Sequence, residues 1–369
     1  MIKLENATKY YGVSIAVDSL TMEINQGETC VLIGPSGCGK TTTLRMINRL
    51  VEPTSGRIYV NGQDTSQIKP DQLRKSIGYA IQSVGLFPHL SVAANISVVP
   101  ELLKWDKGRT AERVEELLTL VGLDPAEYAH KYPNQLSGGE AQRIGVARAL
   151  AADPPTLLMD EPFGAVDPLT RERLQAQFAL IQKTLKKTVI LVTHDLDEAI
   201  RLADRIAIMA SGKLVQYDTP EVILSHPQNK FVHDFVGTDR ALKRLSRMGI
   251  ESLIKDTPSI KVSASMKEAQ AICRRSRWIW VTGEDNRLIG WLDGAILKEA
   301  SSVSEATVYG EAEEIAVTRN ATLKEALSRM LGQGLKSIPV VDDKNHLLGE
   351  LTLSDIELIT AAAETKDNA

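Results

Sequence analysis

One octapeptide restricts the fold of this 369-residue chain more than any other: Gly34-Pro35-Ser36-Gly37-Cys38-Gly39-Lys40-Thr41. It follows a continuous apolar run, Thr29-Cys30-Val31-Leu32-Ile33, and opens a helical pattern over residues 42–50. A run without polar interruption fits a strand buried on both faces of a parallel sheet. The pattern G-x-x-x-x-G-K-[ST] between such a strand and such a helix is a phosphate cradle. Its glycines let backbone N–H groups curl round the phosphates, and the helix start adds the positive end of its dipole. On this reading Gly34, Ser36, Gly37, Cys38, Gly39, Lys40, Thr41 and Thr42 bind a nucleotide. Lys40 brings a point charge to the β- and γ-phosphates, and Thr41 offers its hydroxyl to Mg²⁺. Cys38 is a small filler inside the loop.

Two more apolar strands, Thr156-Leu157-Leu158-Met159 and Val189-Ile190-Leu191-Val192, each lead into a turn and a helical pattern. That alternation is α/β logic. The first strand ends on Asp160-Glu161. Asp160 would hold Mg²⁺ through water, and Glu161 is placed to orient or deprotonate an attacking water. Carboxylates at a strand end are often merely solvated. Here a phosphate loop needs the pair, and no other apolar strand ends in Asp-Glu. Between loop and carboxylates, Leu136-Ser137-Gly138-Gly139-Glu140 is a capping box before a helix at 141–150. Its two glycines leave N–H groups aimed outward, which is also an anion site. Gln82 follows a short strand at 77–81, and His194 follows the strand at 189–193. Alone, either would pass for a surface or structural residue; their place in the motif order argues otherwise. Residues 2–10, 20–24 and 57–61 read as antiparallel strands, and 109–121 as a helix ending at Gly122.

The chain is too long for one compact domain. It has no run of 18 apolar residues, so it does not cross a membrane by itself. The start, Met1-Ile2-Lys3-Leu4-Glu5, lacks a basic-then-apolar leader. Cys30, Cys38 and Cys273 read as reduced thiols. Composition shifts near Gly237, where residues 240–248 form a basic helix. An internal repeat follows: Lys267-Glu268-Ala269 recurs as Lys324-Glu325-Ala326, and Asn286-Arg287-Leu288-Ile289-Gly290 as Asn345-His346-Leu347-Leu348-Gly349. The offsets are 57 and 59, so two extra residues are expected near 332–334. The net charge of −4 hides an asymmetry, with ten Lys/Arg against four Asp/Glu over 239–277 and eight against sixteen over 278–369. Arg240, Lys243, Arg244, Arg247, Arg274, Arg275 and Arg277 are candidates for contact with anionic lipid or the acidic region.

Over residues 1–237 the ordered motifs resemble the ABC-transporter nucleotide-binding domain. The set is Tyr11, Gly34 to Thr41, Gln82, Leu136 to Glu140, Asp160-Glu161, Phe163 to Asp167 (with Val166 where Leu is usual) and His194. The resemblance implies an α/β fold: an ABC-type P-loop domain with a parallel-sheet core, an antiparallel β subdomain and a helical subdomain. It implies ATP and Mg²⁺ as ligands, with Tyr11 an adenine platform and Gln82 near the metal. His194 would sense the γ-phosphate. In a homodimer, Ser137 and Gly139 of one subunit would complete the other's site. Gln82 and Leu86-Phe87-Pro88-His89 would lie under an integral membrane permease, with an external substrate-binding protein acting indirectly. The repeat resembles a tandem CBS α+β domain at 255–362 (255–300 and 312–362), after a basic helical linker at 238–254 and before a tail at 363–369. Thr352 and Asp355 match its G-x-x-[ST]-x-x-D edge, which implies adenosine or a cyclic dinucleotide; Asp293 and Ile296 depart from it in the first copy. An ABC ATPase with such a tail is similar to importer subunits for glycine betaine, choline or carnitine, peripheral on the cytoplasmic membrane face. The alternatives are an importer for a sugar or amino acid, or a soluble ABC ATPase. Net acidity and a single cassette argue against nucleic acid.

Overall fold

The computed structural model describes residues 1–81, 85–164, 166–274, 276–295, 297, 300–310 and 312–366. They form two compact units, 1–237 and 238–369. Gln82, Arg275 and Ile296, singled out above, lie outside the described residues.

In the first unit, β1 (Ile2–Tyr11) and β2 (Ser14–Ile24) form a long antiparallel hairpin in which Ile2 faces Ile24 and Leu4 faces Met22. The second strand starts earlier than its apolar pattern because Ser14 to Val17 pair with the end of the first. Every residue of β3 (Thr29–Ile33) is buried, as the unbroken run requires. Strands β4 (Ser55–Val60) and β5 (Gln63–Asp64) extend the hairpin into an antiparallel sheet of order β2-β1-β4-β5. Strands β6 (Ile77–Ala80), β7 (Thr156–Asp160), β8 (Thr188–Val192), β9 (Arg205–Ala210) and β10 (Lys213–Asp218) join β3 in the order β10-β9-β3-β8-β7-β6. All pairings but β9 with β10 are parallel. In a parallel sheet the carboxyl ends share one edge, where ligands bind. Three neighbouring strands therefore deliver Gly34, Asp160-Glu161 and Thr193-His194 to that edge.

Helices Val92–Leu102, Lys107–Leu120 and Gly138–Leu150 cover the sheet's β6 end, burying Ile96, Leu117, Leu118 and Ile144 together. The second begins two residues before its apolar period because Asp106 accepts the N–H groups of Gly108 and Arg109 at 2.8 and 3.2 Å. Such a cap satisfies donors the helix leaves open.

The second unit holds two small sheets, β11 (Ser259–Lys261) to β14 through β12 (Trp278–Thr282), β13 (Leu288–Asp293) and β14 (Thr307–Tyr309), then β15 (Val317–Thr318), β16 (Ser337–Val341) and β17 (Leu347–Thr352). The repeat is visible bond for bond. Gly283 N–H donates to Arg287 O at 2.8 Å, and Asp342 N–H to His346 O at 3.0 Å. Asn286 and Asn345, at φ 66° and 65°, turn the two hairpins, a conformation Asn tolerates. The turns then bond to each other: Leu288 N–H to Asn345 O at 3.0 Å, Leu347 N–H to Asn286 O at 3.1 Å. The net two extra residues arise in the helix, where Leu323–Gln333 has 11 residues against 8 in Met266–Cys273, while the link to the next strand is one residue shorter.

The basic segment is not a free helix. Its helix runs only over Arg240–Leu245, and Leu245 and Ile250 are buried with Leu323, Ile338 and Leu351 in the second repeat's core. Ile250 N–H donates to Ala321 O at 3.1 Å, and Leu323 N–H to Met248 O at 2.8 Å. Charge dominates its composition, but a few apolar side chains decide its packing. Within it Lys243 pairs with Asp239 at 2.8 Å, and further along the basic block Arg277 pairs with Asp293 at 3.2 Å.

Candidate active site

Two loop glycines are dictated by close approach. Gly34 has φ 152°, and a Cβ there would stand 2.1 Å from Met209 O. Gly39 has φ 106°, and its Cβ would stand 2.4 Å from Ala16 O. The loop is thus pressed between β9 and the β1–β2 hairpin. Lys40 is buried at the start of helix Lys40–Ile47. Its ammonium donates to Gly34 O at 2.7 Å and Pro35 O at 3.0 Å, with Cys38 Sγ 3.8 Å away. Ser36 and Gly37 are exposed on the loop's crest, and Thr42 is half-buried within the helix's first turn.

Thr41 Oγ1 donates to Asp160 Oδ1 at 3.1 Å, across 119 residues of sequence. Asp160 is 3% exposed, and burial pushes its carboxyl above the usual carboxylate range against the pull of the Thr41 hydrogen bond. A hydroxyl and a carboxylate side by side are hard oxygen donors that suit Mg²⁺, and the loop's N–H groups suit phosphate. The residues present therefore fit a magnesium nucleotide.

Glu161 adopts φ 48°, which a non-glycine residue holds at a cost of about 1–2 kcal/mol. Its N–H is fixed to Val192 O at 2.9 Å, and its carbonyl accepts from Gln142 Nε2 at 2.9 Å. That turn sets Glu161 Oε1 3.3 Å from His194 Nδ1. The Glu161 side chain is largely buried, whereas that of His194 is exposed. Strain of this kind clusters at sites of chemistry. Gln142 was not among the residues picked from sequence; it lies one helical turn after Gly138, and that spacing was the available signal.

Ser137 caps helix Gly138–Leu150, its N–H donating to Glu140 Oε2 at 2.7 Å and its hydroxyl accepting from Glu140 N–H at 3.3 Å. Tyr128 donates to Glu140 Oε1 at 2.6 Å, and this bond first, then that of Ser137, holds the Glu140 carboxyl below its ordinary range. A Cβ on Gly138 would meet nothing within 4 Å, and one on Gly139 only Val166 at 3.8 Å. Ser137 thus spends its bonds on its own helix, and Gly138 faces open space. Asp167 caps the next helix, Pro168–Leu185, by accepting from Thr170 N–H at 3.0 Å. Tyr11 is half-exposed at the end of β1, with Lys9 Nζ 5.3 Å from its ring centre.

In the second unit, Asp355 is 6% exposed and accepts from Thr352 Oγ1 at 2.7 Å. It also pairs closely with Lys255, whose backbone bonds Glu350 in both directions at 3.0 and 2.9 Å. A Cβ on Gly349 would lie 2.3 Å from Lys255 O, so the glycine serves that approach. Nothing in the sequence pattern pointed to Lys255, which lies 100 residues from its partner.

A family model described as ABC transporter matches residues 17–164, and one described as CBS domain matches 311–357. The chain is 47% identical, over 96% of its length and 95% of the relative's, to the glycine betaine/carnitine/choline transport ATP-binding protein of Bacillus subtilis. It is 44% identical, over 99% and 98%, to the osmoprotectant import ATP-binding protein of Salmonella typhimurium. Among solved structures, a dimeric bacterial ABC transporter cassette matches with a TM-score of 0.56 at 35% identity, covering 59% of this chain and 98% of that one. With the strand-edge cluster of Lys40, Thr41, Asp160, Glu161 and His194 in place, the chain belongs to the ABC transporter family, among its ATP-binding subunits that carry a CBS domain.

Proposed function

We propose that this chain hydrolyses ATP to drive uptake of a quaternary-amine osmoprotectant of the glycine betaine, choline or carnitine type, with its second unit regulating the rate. The observation that carries the chemistry is the Glu161 carboxylate fixed 3.3 Å from His194 and one residue beyond Asp160. The phosphate loop and Lys40 hold the polyphosphate. Thr41 and Asp160 hold Mg²⁺, which when bound neutralises developing charge on the phosphates. Glu161 accepts the proton of the attacking water, and His194 fixes the terminal phosphate. Tyr11 stacks on the base. Ser137 and Gly139, on either side of Gly138, whose Cβ position is open, bind the nucleotide of a second copy. Gln82 takes its place beside the metal in this reading.

The permease is expected at a groove of about 440 Å³ that Tyr79, Gly85, Phe87 and Arg148 help to line. Burial lowers the Arg148 guanidinium from its ordinary value, and it donates to Gly85 O at 2.8 Å. No helix among the described residues is long and apolar enough to cross a membrane, which is consistent with a peripheral subunit on the cytoplasmic face. The external binding protein meets this chain only through the permease. At the second repeat, adenosine or a cyclic dinucleotide would reach Thr352 and Asp355 only in competition with Lys255.

The test is Glu161→Gln. Turnover is expected to fall about 10²–10⁴-fold, the worth of a general base, while ATP still drives two copies together in gel filtration. Turnover at the wild-type rate would remove Glu161 from the base role.

A further inference from the structure

Three polar side chains are buried behind His194. Thr193, Gln175 and Glu198 are 2%, 3% and 6% exposed. They come from the residue after β8, from helix Pro168–Leu185 and from helix Leu196–Leu202. Gln175 Nε2 donates to Glu198 Oε1 at 3.0 Å, and the Thr193 hydroxyl also hydrogen-bonds the Glu198 carboxylate. Thr193 Oγ1 accepts the N–H of Asp195 at 3.0 Å, which fixes the backbone on both sides of His194. One turn before Gln175, Arg171 donates to Val166 O at 2.9 Å, within the 163–167 loop. Arg171 and Glu198 line one crevice with Glu161 and His194.

Fold stability does not call for a carboxylate at 198. Its neighbours Ala199 and Ile200 are buried and apolar, and a buried charge is often replaced by an apolar side chain at no loss of stability. What an apolar residue would not do is grip Thr193 and Gln175 together. We propose that Glu198 is a positioning residue for ATP hydrolysis. It ties the end of β8 to helix Pro168–Leu185, so that His194 and the 163–167 loop hold one geometry relative to Glu161. This rests on the reading of His194 as the residue that fixes the terminal phosphate.

Steady-state ATPase kinetics of the full chain test it. Glu198→Ala is expected to lower kcat roughly tenfold with KM for ATP within about twofold, as misplacing a catalytic group does. Glu198→Gln restores most of the rate, because its amide oxygen still accepts from Gln175. Glu198→Ala combined with Thr193→Val is no worse than the worse single variant, since both act through one network. Wild-type kcat in Glu198→Ala, equal losses in the Gln and Ala variants, or additive losses in the double variant overturn the proposal. If Glu198→Ala does not fold, Gln175→Leu with Thr193→Val runs the same cycle. His194→Ala separates the two levels: if it abolishes turnover while Glu198→Ala keeps the wild-type kcat, only the positioning role fails; if it turns over normally, the reading of His194 fails.

Discussion

The molecule places glycines at two loops that meet nucleotide in the proposed function, and it does so for opposite reasons. At the phosphate loop the fold itself demands them. Gly34 and Gly39 lie against the carbonyls of Met209 and Ala16, in left-handed backbone that side chains rarely adopt. At the 136–140 motif nothing in the chain demands them. Gly138 has open space where a Cβ would go, and a helix start would accept alanine. In the proposed function, the comparison separates residues that build the site from residues that face the nucleotide of a second copy.

Three substitutions break or sharpen that contrast, ranked by their effect on stability. Gly34→Ala meets both a backbone atom at 2.1 Å and an unfavourable φ; it should cost about 3 kcal/mol, seen as a clear fall in Tm by calorimetry with loss of nucleotide binding. Gly37→Ala meets only the φ of 77°, with nothing near, and should cost about 1 kcal/mol. Gly138→Ala meets neither. Its Tm should hold or rise slightly, by up to about 1 kcal/mol for alanine over glycine in a helix, yet ATP turnover should fall roughly tenfold or more as the added methyl displaces the facing nucleotide. A Gly138→Ala protein with lower Tm, or with full turnover, would erase the distinction.

Much of the site was legible because its parts are local in sequence. Strand Thr29–Ile33, the loop after it and the helix from Lys40 form one unbroken pattern, and a buried strand ending in Asp160-Glu161 leaves those carboxylates nowhere to go but the sheet edge. The motif alone implied that Thr41 and Asp160 serve one ion, and the fold brings the two into hydrogen-bond contact. Long-range pairings were not legible. Glu198 reads as an ordinary acidic position on a helix until Gln175 and Thr193 are brought against it. Lys255 gives no hint that it closes on Asp355. The segment around Arg240 to Arg247 read as a basic linker because charge dominates its composition, although the apolar cluster Ile250, Leu253 and Ile254 just beyond was the signal for packing. Its helix also stops at Leu245, short of the 240–248 expectation, because Met248 and Ile250 turn to bond the chain at Leu323 and Ala321.

That packing has a consequence for how the protein is made. The first repeat is threaded into the middle of the second: Leu245 and Ile250 leave the ribosome early, while Leu323, Ile338 and Leu351, which cover them, follow about 75–105 residues later. At roughly 5–20 residues per second, those two side chains wait on the order of 5–20 s for their core. During that interval the chain carries an unfinished apolar surface next to a finished first repeat. The second repeat is thus the last part of the polypeptide to close, and truncation anywhere before residue 351 would leave it open.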